Sequence, residues 1–180
     1  MKLLISINFD DDTKIKLHNH MRNLTEACEG GIYTKKDNIH LSLVYVGETT
    51  QIGAVVETMD AIDSEQFDIT LSEGGRFKRS GGEVYWCGIE KSPELVRLQK
   101  ILYRSLVRRG VMKEKNDFKP HLTVSRDTII ARDSIPKADF FEKLTVKRVS
   151  LMKCESTRDG MSYTEVYAKE LPPKEFEFDI

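Results

Sequence analysis

Cysteine is scarce in this chain of 180 residues: Cys28, Cys87 and Cys154 are an odd set of three with no CxxC pairing. That excludes a disulfide framework and a cysteine-ligated zinc site, and it fits reduced thiols in the cytoplasm, where the protein is expected. Long hydrophobic runs are missing too. No stretch approaches the ~20 apolar residues a membrane span requires. The opening run Leu3-Leu4-Ile5-Ser6-Ile7 is too short for a signal peptide and soon meets Asp10-Asp11-Asp12. Charge of one sign is absent: the net charge is −1 at pH 7. Wholesale attraction to nucleic acid is thereby excluded, although a local basic cleft is compatible with that sum. Three catalytic signatures are also lacking. There is no GxxxxGKS/T phosphate loop, no HExxH or HxD cluster for a metal, and no GxSxG elbow for a serine nucleophile.

What is present is an ordinary globular composition, 39% apolar and 32% charged, in a chain long enough to bury a proper core as one domain over residues 1–180. Two short stretches organise it. Asn38-Ile39-His40-Leu41-Ser42-Leu43-Val44-Tyr45-Val46-Gly47 and Lys119-Pro120-His121-Leu122-Thr123-Val124 each read His, apolar, hydroxyl, apolar. Average composition gives such a run after a histidine about 2% of the time. Two runs among four histidines are therefore not an expected accident. In a strand, alternate side chains share a face. His40 and Ser42 then look one way and Leu41 and Leu43 the other, as do His121 and Thr123 against Leu122 and Val124. A rise of ~3.3 Å per residue sets each histidine roughly 6.6 Å from its hydroxyl. That span suits an imidazole on one side of a phosphate and a hydroxyl on another of its oxygens.

The rest of the chain supplies a scaffold. Leu3 to Phe9 reads as a strand, followed by a helix carrying Leu17, Met21, Leu24 and Cys28 and ending at Gly30-Gly31. His18 and His20 fall on that helix two positions apart, a poor metal pair that reads as solvated surface. After the first motif come a helix with Ile52, Val55, Val56, Met59 and Ile62 on one stripe, and a strand from Phe67 to Leu71. Gly74 to Gly82 reads as a flexible hairpin connection bearing Arg76, Lys78 and Arg79. A strand over Glu83 to Glu90 leads to a helix capped by Ser92-Pro93, with Leu95, Leu98, Ile101, Leu102 and Leu106 inward. Thr145 to Cys154 and Met161 to Ala168 form a terminal hairpin, and Leu171 to Ile180 lies loosely on the surface. The order suggests an α+β fold of two related halves, with the motif strands facing each other across one cleft.

Two imidazoles can divide acid–base work, one entering neutral and the other protonated. Opening a cyclic phosphate needs both roles, and the Ser42 and Thr123 hydroxyls can donate to the non-bridging oxygens as negative charge gathers there. No metal or other cofactor is required by such a set.

At these residues the chain resembles the two-histidine phosphoesterase superfamily, and more closely the RNA 2',3'-cyclic phosphodiesterase family, also known as 2'-5' RNA ligases. The similarity extends to Leu3-Leu4-Ile5-Ser6-Ile7, to Glu83-Val84-Tyr85-Trp86 and to Phe118-Lys119-Pro120 ahead of His121. The resemblance implies a bilobal α+β fold of two pseudo-symmetric halves, each an antiparallel sheet with flanking helices. It also implies hydrolysis of a terminal 2',3'-cyclic phosphate on RNA to a 2'-phosphate, with reversible ligation as a further possibility. His40 would be the acid at the departing 3' oxygen and His121 the base for water, and the near-symmetry permits the reverse. Arg126 matches a phosphate-contacting arginine, which demands a bulge, because strict alternation turns it away from His121. Asn116 stands where many members have arginine. A monomer acting on RNA 3' ends with 2',3'-cyclic phosphate is the expectation. Small cyclic nucleotides, or a non-catalytic RNA-end binding module, are the alternatives.

Overall fold

The computed structural model describes residues 1–115, 117–130 and 142–176. In chain order the elements are β1 (Lys2–Asn8), α1 (Asp11–Leu24), β2 (Cys28–Glu29), β3 (Ile32–Tyr33), β4 (His40–Glu48) and α2 (Ile52–Asp60). There follow β5 (Phe67–Arg79), β6 (Gly82–Ile89), α3 (Pro93–Arg108), β7 (His121–Ile130), β8 (Lys143–Val146), β9 (Arg148–Thr157) and β10 (Gly160–Glu170). They build two antiparallel sheets. The first has the order β10-β9-β1-β4; the second has β2-β7-β6-β5-β8, with β3 also paired to β7. The repeated units are β1-α1-β4 and β6-α3-β7, so each sheet receives one motif strand. The other strands cross over in sequence: the C-terminal hairpin β9-β10 completes the first sheet, and β5 with β8 completes the second.

The helices start where side chains cap them. The Asp10 carboxylate accepts from the Thr13 amide at 2.8 Å, and the Ser92 hydroxyl accepts from Leu95 at 3.2 Å with Pro93 in the first turn. Their apolar stripes, Leu17, Met21 and Leu24 on α1 and Leu95, Leu98, Leu102 and Leu106 on α3, join one core. That core takes Leu3, Ile5, Ile7, Leu41 and Leu43 from the first sheet and Tyr85, Cys87, Leu122 and Val124 from the second. Leu41 and Leu122 are fully buried, which fixes the opposite orientation of the residues that alternate with them. A smaller cluster of Leu4, Met152 and Cys154, covered by Tyr163, lies apart from this core. Among the described residues no helix is long and apolar enough to cross a membrane.

Several expectations are corrected. Helix α1 ends at Leu24, before Gly30-Gly31, and Cys28 begins a two-residue strand paired to Ile130. The glycine-rich stretch is no open loop: β5 runs on to Arg79 and only the tip turns. Gly75 is there for proximity, since a Cβ would lie 2.3 Å from the Trp86 ring on the neighbouring strand. Ile101 faces outward, 42% exposed. His20 is half-buried, and loss of solvation lowers its pKa, which Glu142 partly opposes. The tail begins docked: Leu171 is buried, its amide donates to Lys147 O, and Pro172 O accepts from Gln66. Asn116 and the last four residues of the tail lie outside the described residues.

Candidate active site

A direct chain link brings the two motif strands together. Gly31 passes close against β7, where a Cβ would meet Arg126 O at 2.7 Å, so only glycine fits. Ile32 and Tyr33 then pair with Arg126 and Ser125. Thr34 donates its amide to Val124 O at 2.9 Å and its hydroxyl to Thr123 O at 2.7 Å. Lys36–Asn38 makes one 3-10 turn, and His40 opens β4. Six residues after gripping the second motif, the chain delivers the first. These short strands gave no periodic signal, and the sequence reading missed them.

Both histidines are oriented in the same way. His40 Nδ1–H donates to Asn38 O at 2.7 Å, and His121 Nδ1–H donates to Lys119 O at 2.6 Å. Each bond reaches the carbonyl two residues back, so both rings are left with Nε2 for a substrate. Ser42 and Thr123 lie on the same faces, and all four line one cavity of about 420 Å³.

The required bulge exists, and it exists twice. In β7, Tyr85 pairs with Ser125 and Trp86 with Thr123, skipping Val124, so Val124 and Ser125 both turn inward. In β4, Ile5 pairs with Val44 and Ser6 with Ser42, skipping Leu43, and Leu43 and Val44 are both buried. The parity change returns the fifth residue after each histidine to the cleft. In β7 that residue is Arg126; in β4 it is Tyr45, and both line the cavity. Tyr45 carries the same offset as Arg126, the one signal in the sequence that could have singled it out.

The electrostatics are unequal. Burial is the largest cause pushing His40 down to about 4, with Arg126, Lys14 and His121 adding to it and the Asn38 carbonyl opposing. His121 is lowered by burial first, then by Arg126 and Arg79, against the Lys119 carbonyl. Both rings are therefore neutral in the empty cleft at neutral pH. A bound phosphate anion opposes the cations and raises both. Aromatic rings flank each histidine. Tyr163 lies 4.5 Å from His40, and Phe77 meets His121 edge-on at 5.2 Å, with Trp86 behind it. Four exposed apolar side chains, Ile32, Tyr33, Tyr45 and Met161, stand in the same cavity wall. Exposed apolar groups gathered in a concave site mark a ligand surface.

Two lobes, each presenting a histidine and a hydroxyl to a shared cleft, define a phosphoesterase class of architecture. A solved structure described as a phosphoesterase superposes with a TM-score of 0.82 at 25% identity, covering 95% of this chain and 98% of that one. The family model of the 2'-5' RNA ligase superfamily matches residues 13–158, and the chain belongs to that family. It is 30% identical to the RNA 2',3'-cyclic phosphodiesterase of Escherichia coli strain K12 over 148 residues, 81% of this chain and 82% of the relative. The structure of E. coli LigT complexed with 3'-AMP matches with a TM-score of 0.81 at 25% identity, covering 94% and 97% of the two chains.

Proposed function

We propose that this protein hydrolyses a terminal 2',3'-cyclic phosphate on RNA to a 2'-phosphomonoester by metal-independent acid–base catalysis. The observation that carries the reading is the matched pair of Nδ1–carbonyl anchors, 2.7 and 2.6 Å, which aim two imidazoles into one cavity beside two hydroxyls and Arg126. His121 Nε2 takes the proton of the attacking water. His40, protonated once the phosphate anion is bound, gives its proton to the departing 3' oxygen. Ser42 and Thr123 donate to the non-bridging oxygens, and the Arg126 guanidinium balances their charge. The apolar wall of Ile32, Tyr33, Tyr45 and Met161 takes the nucleoside. A close relative named for this activity, and a similar fold that holds 3'-AMP, support the same substrate class. The cytoplasm, where unpaired thiols persist, is the proposed compartment, and Cys28, Cys87 and Cys154 all lie outside any disulfide.

The cavity volume favours one second reading, because about 420 Å³ is a single-ligand pocket that a small cyclic nucleotide could satisfy. Substrate length separates the two. The deciding experiment incubates the protein, with chelator, with a short RNA ending in 2',3'-cyclic phosphate and locates the product phosphate by mass and position. A 2'-phosphate is expected. A 3'-phosphate reverses the substrate's orientation, and a requirement for added metal overturns the mechanism. No turnover of RNA or of cyclic mononucleotides leaves an RNA-end binding module.

A further inference from the structure

Among the described residues, two cationic side chains line the reacting cavity, Arg126 and Lys35, and they are placed differently. Arg126 lowers both histidines, so its charge bears on the centre where the phosphate reacts. Lys35 is a cause at neither ring, and its charge lies in the same cavity but away from that centre. It is also uncommitted. Lys36, beside it, pairs with Asp11 at 3.6 Å and with Asp37 at 3.8 Å. Lys35 makes no ion pair among the described residues, although Asp127 and Asp159 line the same cavity. Its side chain is exposed, yet its backbone is fixed on both sides. Thr34, just before it, is bonded to Val124 O at 2.9 Å and to Thr123 O at 2.7 Å. Lys35 O accepts from the Asn38 amide at 2.9 Å, and Asn38 O in turn holds His40. A free ammonium on a flexible stem, rooted in rigid backbone at the rim of a cavity, is built to meet an anion.

The substrate's own geometry says which anion. On the proposed reading, which this inference rests on, the cyclic phosphate lies between the histidines and Arg126, and the 3' oxygen departs toward His40. The ribose stands behind that oxygen, so its 5' carbon is carried to the His40 side of the cavity, where the turn from Lys35 to Asn38 forms the wall. A free cyclic mononucleotide has an uncharged hydroxyl on that carbon. In RNA the same carbon bears the phosphodiester to the penultimate nucleotide. We propose that Lys35 forms a subsite for this upstream phosphodiester and so selects RNA ends over free cyclic mononucleotides. The apolar wall takes the terminal nucleoside of either substrate, and Arg126 faces the reacting phosphate of either. Lys35 alone meets an anion that only the oligonucleotide carries. About 420 Å³ accommodates one nucleotide, so the next one upstream stands at the rim, where Lys35 is exposed.

The test changes the phosphate and the lysine together and reads ratios, which a general loss of activity leaves unmoved. Three substrates share one terminal 2',3'-cyclic phosphate: a cyclic mononucleotide, the dinucleotide that adds one upstream phosphodiester, and that dinucleotide with an uncharged methylphosphonate linkage. kcat/KM is measured on each for the parent protein, Lys35→Ala and Lys35→Arg. The parent should favour the phosphodiester over the methylphosphonate about tenfold, the worth of one charge-assisted contact, and the gap should narrow as salt is added. Lys35→Ala should close the gap, and Lys35→Arg, which keeps the charge, should retain most of it. A parent that treats the two linkages alike overturns the subsite, and a gap that survives Lys35→Ala overturns its assignment to this residue. Equal losses on all three substrates place Lys35 at the reacting phosphate and also overturn it. If the parent turns over none of the three, the phosphodiesterase reading fails. Equilibrium binding of the two dinucleotides then decides the subsite: a gap in affinity that Lys35→Ala closes supports it, and equal affinities overturn it.

Discussion

His40 and His121 are held by the same hydrogen bond and by different scaffolding. On the first strand the anchoring carbonyl belongs to a 3-10 turn, and that turn is tied down twice. Asn38 Nδ2 donates to Met161 O at 2.8 Å, and the buried Lys14 donates its ammonium to Asp37 O at 3.3 Å. On the second strand the carbonyl belongs to Lys119, which Pro120 restricts to extended backbone by steric exclusion. The floors differ as well. Ser42 has the fully buried Ser6 as its cross-strand neighbour, whereas Thr123 has Trp86. One lobe sets a histidine with turn, lysine and small hydroxyls; the other does so with proline and aromatic rings. The duplicated geometry is thus a property of the strand register and its bulge, and the side chains around it are free to differ. That freedom is what makes a nearly two-fold site directional. Position five is tyrosine on one strand and arginine on the other, and Lys119 stands over Phe77, the ring that meets His121 edge-on.

The comparison is broken most severely by removing either histidine. His40→Ala and His121→Ala are each expected to lower kcat/KM on a cyclic nucleotide by about 10²–10⁴-fold, the usual worth of a positioned acid or base. Retained binding of a 2'-phosphate product would show that the cleft survives. Next come the two fifth positions. Arg126→Ala should cost about a hundredfold, since it removes a charge facing the phosphate. Tyr45→Ala should cost about tenfold, read mainly in KM, because it removes apolar contact. Equal losses at the two positions would make the site symmetric in function.

Smaller effects separate the lobes by their charges. Lys14 lowers His40 but is no cause at His121, Arg79 does the reverse, and Arg126 acts on both. Lys14→Met should therefore raise the His40 midpoint from about 4 and leave His121 in place, as followed by NMR titration of the ring protons. A parallel shift of both rings would contradict the assignment. Stability carries the same signature. His40 is held down to about 4, below the ~6.5 of an unfolded imidazole. The unfolded chain therefore binds more protons in between, and stability is full above ~6.5 and falls as the pH drops toward 4. His121 and His20, also lowered by burial, act in the same sense. Urea midpoints at pH 7 and pH 4.5 should show the fall, and His40→Asn should make it shallower.

The residues proposed to carry the chemistry were legible as two matched pairs because strand alternation is a rigid rule. His40 with Ser42 and His121 with Thr123 follow from it directly, and Arg126 was recoverable only through a bulge, which the register supplies. What escaped the sequence is what depends on long-range proximity. Gly74 and Gly75 look like a loop until Tyr85 and Trp86 are seen to need their missing side chains. Ile32-Tyr33-Thr34 is too short for any period, yet it joins the two motifs. Lys14 reads as a solvated helical lysine, and only the packing of α1 against the turn before His40 buries it. Leu171 belongs to an apparently loose tail whose backbone nevertheless pairs with Lys147.

The central claim, that two imidazoles share one proton across the cleft, is tested most directly by kcat/KM for a 2',3'-cyclic nucleotide as a function of pH. The singly protonated pair is most populated between the two free-protein midpoints. The profile should therefore be a bell on the acid side of neutrality, with one limb near 4 and the other below ~6.5. Each histidine-to-alanine variant should lose one limb from whatever rate remains. A wild-type profile with a single limb, unchanged in shape by either substitution, would contradict the account.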